Sequence, residues 1–115
     1  MRSNRGDVVL VLFPDSNLRT AKRRPAVVVQ ADGLDAGLPQ TIVAMITSNM
    51  SRAGHPSRIS VSRTSSQGQQ MGLLTDSVVM TDNLATILEN EIDRTIGRCP
   101  DMNAIDTALR RTLGV

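Results

Sequence analysis

The sequence predicts a mainly β fold, a small barrel or sandwich of short strands finished by a C-terminal helix. Apolar, β-branched runs of strand length recur at short intervals, each bounded by Gly, Pro, Asn or Asp. The early runs are too short for good helices. Only the end changes period, where Met102, Ile105, Leu109 and Leu113 fall at helical spacing.

The elements follow in order. Residues 7–13 read as a first strand, and Pro14, Asp15, Ser16 and Asn17 supply turn chemistry. A polar, basic loop over residues 17–24 then ends in Arg24-Pro25. Residues 26–30 read as a buried strand, with Pro25 acceptable at its first position. After a Gly-containing loop comes a third strand over 41–47, apolar without alternation and so expected to be covered on both faces. Residues 57–62 alternate as a half-exposed strand, and the Ser/Gln/Gly-rich stretch 64–70 reads as a loop. Residues 76–81 give another strand, 84–88 a short strand or helical turn, and 93–98 an edge strand before Pro100. The last helix spans about three turns, with Asp101 near its positive end and Gly114 closing it. No internal repeat is visible, and 115 residues fit one domain over 1–115.

Composition narrows the chemistry. No apolar run approaches the ~20 residues of a membrane span, and no signal-peptide pattern opens the sequence, so a cytoplasmic protein is expected. Cys99 is the only cysteine, which leaves neither an intrachain disulfide nor a thiolate metal cluster. With His55 the sole histidine, a zinc site is disfavoured and a two-histidine ribonuclease mechanism within one chain is excluded. The net charge of +2 is uneven: residues 1–63 hold nine Lys/Arg against four Asp (+5), residues 64–115 four Arg against seven acids (−3). A basic first half suits an anionic partner, a nucleic acid or an acidic protein, although a solvated surface would show the same asymmetry. Phe13 is the only aromatic residue, so base stacking on sheet aromatics is not available.

Arg24-Pro25 has a local logic. A proline disfavours the α region for the residue before it, which holds Arg24 extended, and a guanidinium so held can grip a phosphate through two parallel bonds. The dipeptide alone equally describes the start of a strand beside solvated charges. Thr47-Ser48 ends the third strand with two hydroxyls, which could meet Arg24 on one rim or simply satisfy the local backbone.

The ordered set of motifs says more. Gly6-Asp7-Val8-Val9-Leu10-Val11, a polar loop, Arg24-Pro25-Ala26-Val27-Val28-Val29 and then Ile42 to Ser48 resemble the MazF/PemK family of toxin endoribonucleases. Gly54-His55-Pro56, Asp76-Ser77-Val78-Val79, Asp82-Asn83, Thr86-Ile87 and the ending Leu113-Gly114 continue the likeness in the same order. The resemblance implies a small SH3-like barrel of the MazF/CcdB type, acting as a homodimer that binds single-stranded RNA in a groove between its subunits. It implies a toxin of a type II toxin-antitoxin system, an mRNA interferase that needs no metal or other cofactor. The reaction would be attack of a ribose 2′-hydroxyl on the adjacent phosphate, giving 2′,3′-cyclic phosphate and 5′-hydroxyl ends. By the same resemblance Arg24 and Thr47 would be catalytic; beside them, Arg19, Thr20, Lys22 and Arg23 of the basic loop, together with Ser48 and Asp82, are the candidate RNA contacts. A cognate antitoxin with an acidic or amphipathic tail would occupy the same groove.

Two positions depart from the family pattern. Arg19 and Thr20 stand where a Glu-Gln pair is common, and Ala85-Thr86-Ile87 stands where many members have Arg-Thr-Ile. Asp82 is then the nearest carboxylate candidate, though it equally suits an Asx turn. Two other functions share the fold: a gyrase-inhibiting toxin acting through its last residues, and a non-catalytic RNA-binding module. The absence of a terminal tryptophan counts against the first.

Overall fold

The computed structural model describes residues 3–14, 17, 19–34 and 37–115, with backbone alone at Phe13 and Pro14. Asp15 and Ser16 of the expected first turn, and Asp35 and Ala36 of the following loop, lie outside the described residues. Six strands form one antiparallel sheet: β1 (Asp7–Pro14), β2 (Ala21–Val28), β3 (Gln40–Thr47), β4 (Arg58–Val61), β5 (Ser77–Leu88) and β6 (Ile92–Arg98). Their order across the sheet is β4-β5-β3-β2-β1-β6, which puts β4 and β6 at the edges. A short helix α1 (Ser66–Gln70) precedes β5, a 3-10 turn (Glu89–Glu91) links β5 to β6, and helix α2 (Asn103–Leu113) ends the chain. The mainly β reading with a terminal helix holds.

The register explains why the central strands are apolar without alternation. Val8, Val27 and Ala44 pair across β1, β2 and β3, and all three enter one core cluster with Ile46, Val79 and Ile105 of α2. One step along, Val9, Ala26 and Met45 pair across the same strands and enter a second cluster on the other face, with Val11, Val43 and Ile87. Successive residues of a strand face opposite ways, so a sheet buried on both faces needs apolar residues at every step.

Four local expectations need correction. Strand β2 begins at Ala21, not after Pro25, so the basic residues 21–24 are strand and Pro25 sits inside it. Residues 66–70 of the expected loop form α1, whose N-cap Ser65 accepts the Gly68 N–H at 3.0 Å through Oγ. The two pieces read at 76–81 and 84–88 are one strand of 12 residues, with a register shift opposite the Ala44/Met45 step of β3. Leu113, placed by its spacing on the core face of the last helix, is exposed.

Helix α2 is otherwise as its sequence suggests. Ile105 and Ala108 are buried, Asp101 Oδ1 accepts the Asn103 N–H at 2.9 Å, and Gly114 takes the left-handed conformation (φ 73°) that stops the helix. Arg5 ties the chain start to this helix: its Nε donates to the Val29 carbonyl and its Nη2 to Asp106. No helix among the described residues is long and apolar enough to cross a membrane.

Candidate active site

The site begins at a break in the sheet. Pairing of β1 with β2 runs on to Pro14↔Ala21, whereas pairing of β2 with β3 stops at Ala26↔Met45. Pro25, the next residue, has no N–H to offer a ladder, and it is there that β3 and β2 part. Continuing the register two steps would set Arg24 opposite Thr47. The proline thus ends one ladder just before the step at which Arg24 and Thr47 would have paired.

A pocket of about 440 Å³ opens at this divergence. Its floor is apolar: Leu10, Pro25, Ile46 and Ile96 contribute to it. Arg23, Arg24, Thr47 and Ser48 line it as well, so four of the eight residues singled out from sequence come together. Arg23 is held at its rim by Asp93 of β6, Nε to Oδ2 at 3.1 Å, while remaining 61% exposed. Thr47 Oγ1 accepts the Asn49 N–H at 3.1 Å, which orients the hydroxyl at the strand end.

The other four lie apart from it. The N–H groups of Arg19 and Thr20 donate to Asn17 Oδ1 at 2.9 and 3.2 Å, an Asx-type turn that folds the loop on itself. Lys22 is exposed on β2, paired across from Phe13 of β1. Asp82 lies on β5 and pairs with Arg58, Nη2 donating to Oδ2 at 3.2 Å with Nε only 2.9 Å from Oδ1. Partial burial pushes the Asp82 carboxyl up, but hydrogen bonding and charge from Arg58 outweigh it and hold the group below the usual carboxylate range. Asp82 adjoins a separate hollow lined by His55, Ser57, Arg111 and Thr112. The departure at Ala85 also lies away from the pocket, since this side chain is half-buried against the second core cluster with Met80 and Ile92.

Sequence reasoning missed one wall and one cation. The segment Gly72, Leu73, Leu74, Thr75 between α1 and β5 closes one side of the pocket, and Arg94 of β6 stands at another. Leu73 anchors the segment in the core, while Leu74 is 91% exposed beside the opening. Gly72 is required there: its φ is +74°, and a Cβ on it would lie 2.2 Å from the Ile96 carbonyl oxygen. The Met71-Gly72-Leu73 pattern, an apolar pair around a glycine after a capped turn, was the available signal for the wall. Nothing local could reveal Arg94, which reaches the pocket only because β6 pairs with β1.

Comparison with known proteins bears on the family and the fold. Residues 4–113 match the family described as PemK-like, MazF-like toxin of type II toxin-antitoxin system. The chain is 34% identical over 105 residues to Endoribonuclease MazF6 of Mycobacterium tuberculosis, covering 89% of this chain and 88% of that protein. The same figures hold for Endoribonuclease MazF2 of Mycobacterium bovis. In three dimensions it is similar to an endoribonuclease in complex with its cognate antitoxin from a mycobacterial species, with a TM-score of 0.74, 22% identity, and 99% and 97% of the two chains covered. It is also similar to a MazE–MazF structure from Deinococcus radiodurans, with a TM-score of 0.73, 17% identity, and 98% and 96% covered. The match across nearly the whole length and the shared fold together place this chain in the PemK-like, MazF-like toxin family of type II toxin-antitoxin systems.

Proposed function

We propose that this toxin is a sequence-selective endoribonuclease that cuts single-stranded mRNA in the pocket where β2 and β3 part. The observation that carries the reading is the meeting of Arg24 with Thr47 and Ser48 around one pocket, where Pro25 stops the β2–β3 ladder. In the reaction the 2′-oxygen bonds to the adjacent phosphorus as the bond to the 5′-oxygen breaks. Negative charge builds on the phosphoryl oxygens as these two bonds exchange. Arg24 stabilises that charge through its guanidinium, and Thr47 and Ser48 donate hydroxyl hydrogen bonds to it. No carboxylate or imidazole is found among the described residues lining the pocket. Solvent then takes the 2′-hydroxyl proton, and Arg24 hands a proton to the departing 5′-oxygen and recovers one from solvent, so the guanidinium is restored.

The remaining parts of the reading rest on the family resemblance. The active form is a homodimer, RNA lies in a groove shared by its subunits, and a cognate antitoxin neutralises it by laying an acidic tail there. The mycobacterial neighbour is seen with its antitoxin, which supports that partner for this chain. Action on mRNA sets its place of work in the cytoplasm, and the chain acts as one domain over 1–115.

The test is to incubate the purified protein with single-stranded RNA in a chelator and map the cut ends. Cleavage to cyclic phosphate and 5′-hydroxyl ends is expected, with Arg24→Ala and Thr47→Ala each slowed about a hundredfold or more. RNA binding without cut ends would instead mark a non-catalytic binding module.

A further inference from the structure

We propose that Arg94 is a substrate-binding residue that grips the RNA phosphate next to the one being cut, so that the pocket floor holds the nucleotide between them. The inference rests on the endoribonuclease reading and concerns a residue outside the Arg24–Thr47 pair.

The argument starts from the register. Arg94 pairs with Leu10, and Leu10 pairs with Pro25, so the three form one row across β6, β1 and β2. Residues directly opposite in antiparallel strands share a face of the sheet. All three line the pocket. With strands ~4.8 Å apart, the row sets the Arg94 backbone roughly 10 Å from that of Pro25. Between them lies an apolar floor, Leu10 with Ile96 and Ile46 beside it, which offers a surface for a base or sugar but no partner for a phosphate. Of the polar lining, Arg24, Thr47 and Ser48 come from the β2–β3 side and Arg94 from β6, on the far side of β1, with Arg23, Thr75 and Ser77 completing the wall. One nucleotide laid on the floor would present a phosphate to each side.

Charge pairing supports the same choice. Arg23 also lines the pocket but already faces Asp93 at 3.1 Å. Arg94 is exposed and, among the described residues, makes no side-chain hydrogen bond or ion pair. An unpaired guanidinium over an apolar floor can take a phosphate without first giving up a partner, and its fork matches two phosphoryl oxygens. In a phosphate-binding role it contributes equally to ground state and transition state, and so acts on KM, not on kcat.

The experiment uses the full chain and an RNA oligonucleotide built around a mapped cleavage site. Arg94→Gln is expected to raise KM about tenfold with kcat unchanged. On a non-cleavable copy carrying a 2′-deoxyribose at the cut, it should reduce the salt slope of binding by about 0.7. Two further copies carry a neutral methylphosphonate, one at the phosphate 5′ of the scissile one and one at the phosphate 3′ of it. One of these should weaken the wild type as Arg94→Gln does and weaken Arg94→Gln no further. Arg94→Lys keeps the charge but not the fork, so it should restore the salt slope while recovering only part of the affinity, whereas a guanidinium stacked on a base would leave Lys no better than Gln. If both neutral copies weaken variant and wild type equally, or if Arg94→Gln leaves KM unchanged, the assignment of Arg94 is overturned while the endoribonuclease reading stands. A wild type that neither binds nor cuts any RNA overturns both.

Discussion

At the scale of single residues, the chemistry separates from its surroundings by position and not by residue type. Arg24 and Arg58 are both strand arginines, yet one lines the pocket and the other is paired with Asp82. That pairing has a pH signature. The carboxyl of Asp82 is held below its ordinary value in the fold, so the pair stabilises the protein above that ordinary value. The contribution is lost as pH falls through the lowered folded value. Asp82→Asn is therefore expected to flatten the acid limb of a thermal-stability profile and to leave RNA cleavage at neutral pH within about twofold of wild type. A variant that stays stable but loses cleavage would bring Asp82 back into the site. His55 gives the companion case: its Nδ1 contacts Ser57 Oγ at 2.7 Å, outside the pocket. His55→Ala should cut RNA at close to the wild-type rate, measured on the same oligonucleotide.

Among the elements, β2 shows what could and could not be read from sequence. Ala26, Val27 and Val28 were legible because both faces of the sheet are covered at that point and every residue must be apolar. Residues 21–24 were not, because they pair only with β1 and stand exposed. A strand that buries neither face carries no hydrophobic period, so Lys22-Arg23-Arg24 reads as loop. Helix α1 was hidden for a related reason. Its residues are mostly polar, and what holds it is close packing of Gly68 against the Ser62 carbonyl, with Met71 and Leu73 anchored in the core behind it. Arg24-Pro25, in contrast, was legible as a unit, but its mechanical role emerged only from the register. Pro25→Val restores the missing N–H and allows the β2–β3 ladder to extend toward Arg24 and Thr47. It should change stability by no more than about 1 kcal/mol, read by chemical denaturation, and slow RNA cleavage at least several-fold by narrowing the pocket. Unchanged cleavage with intact stability would show that the proline does not hold the pocket open. Gly72→Ala tests the opposite wall. With a positive φ and a carbonyl in the way, it should cost about 2–3 kcal/mol of stability by the same measurement.

Over the whole molecule, the basic first half foreseen from sequence resolves into something narrower. The cations around the pocket are Arg23 and Arg24 from β2 and Arg94 from the net-acidic second half, so the sheet order, not the linear charge count, assembles the basic site. The terminal helix lies elsewhere. It packs against β4 and β5 through Ile105 and Ala108, and none of its residues lines the pocket. This division tests the gyrase-inhibitor alternative, in which the chain end would be the active part. Leu113 and Val115 are exposed, and beyond the helix end only the Gly114 and Val115 N–H groups are tied back, both to the Arg110 carbonyl. Removing Gly114 and Val115 loses that cap but no buried side chain, so stability should fall by about 1 kcal/mol or less. RNA cleavage should be unchanged, because the pocket, its floor and its arginines belong to the sheet. If the shortened toxin still cuts RNA in the test tube yet no longer arrests growth when expressed, toxicity resides in the chain end and the RNA-cleaving reading of its cellular role fails. If cleavage and growth arrest survive together, the chain end is dispensable and the pocket is sufficient for both.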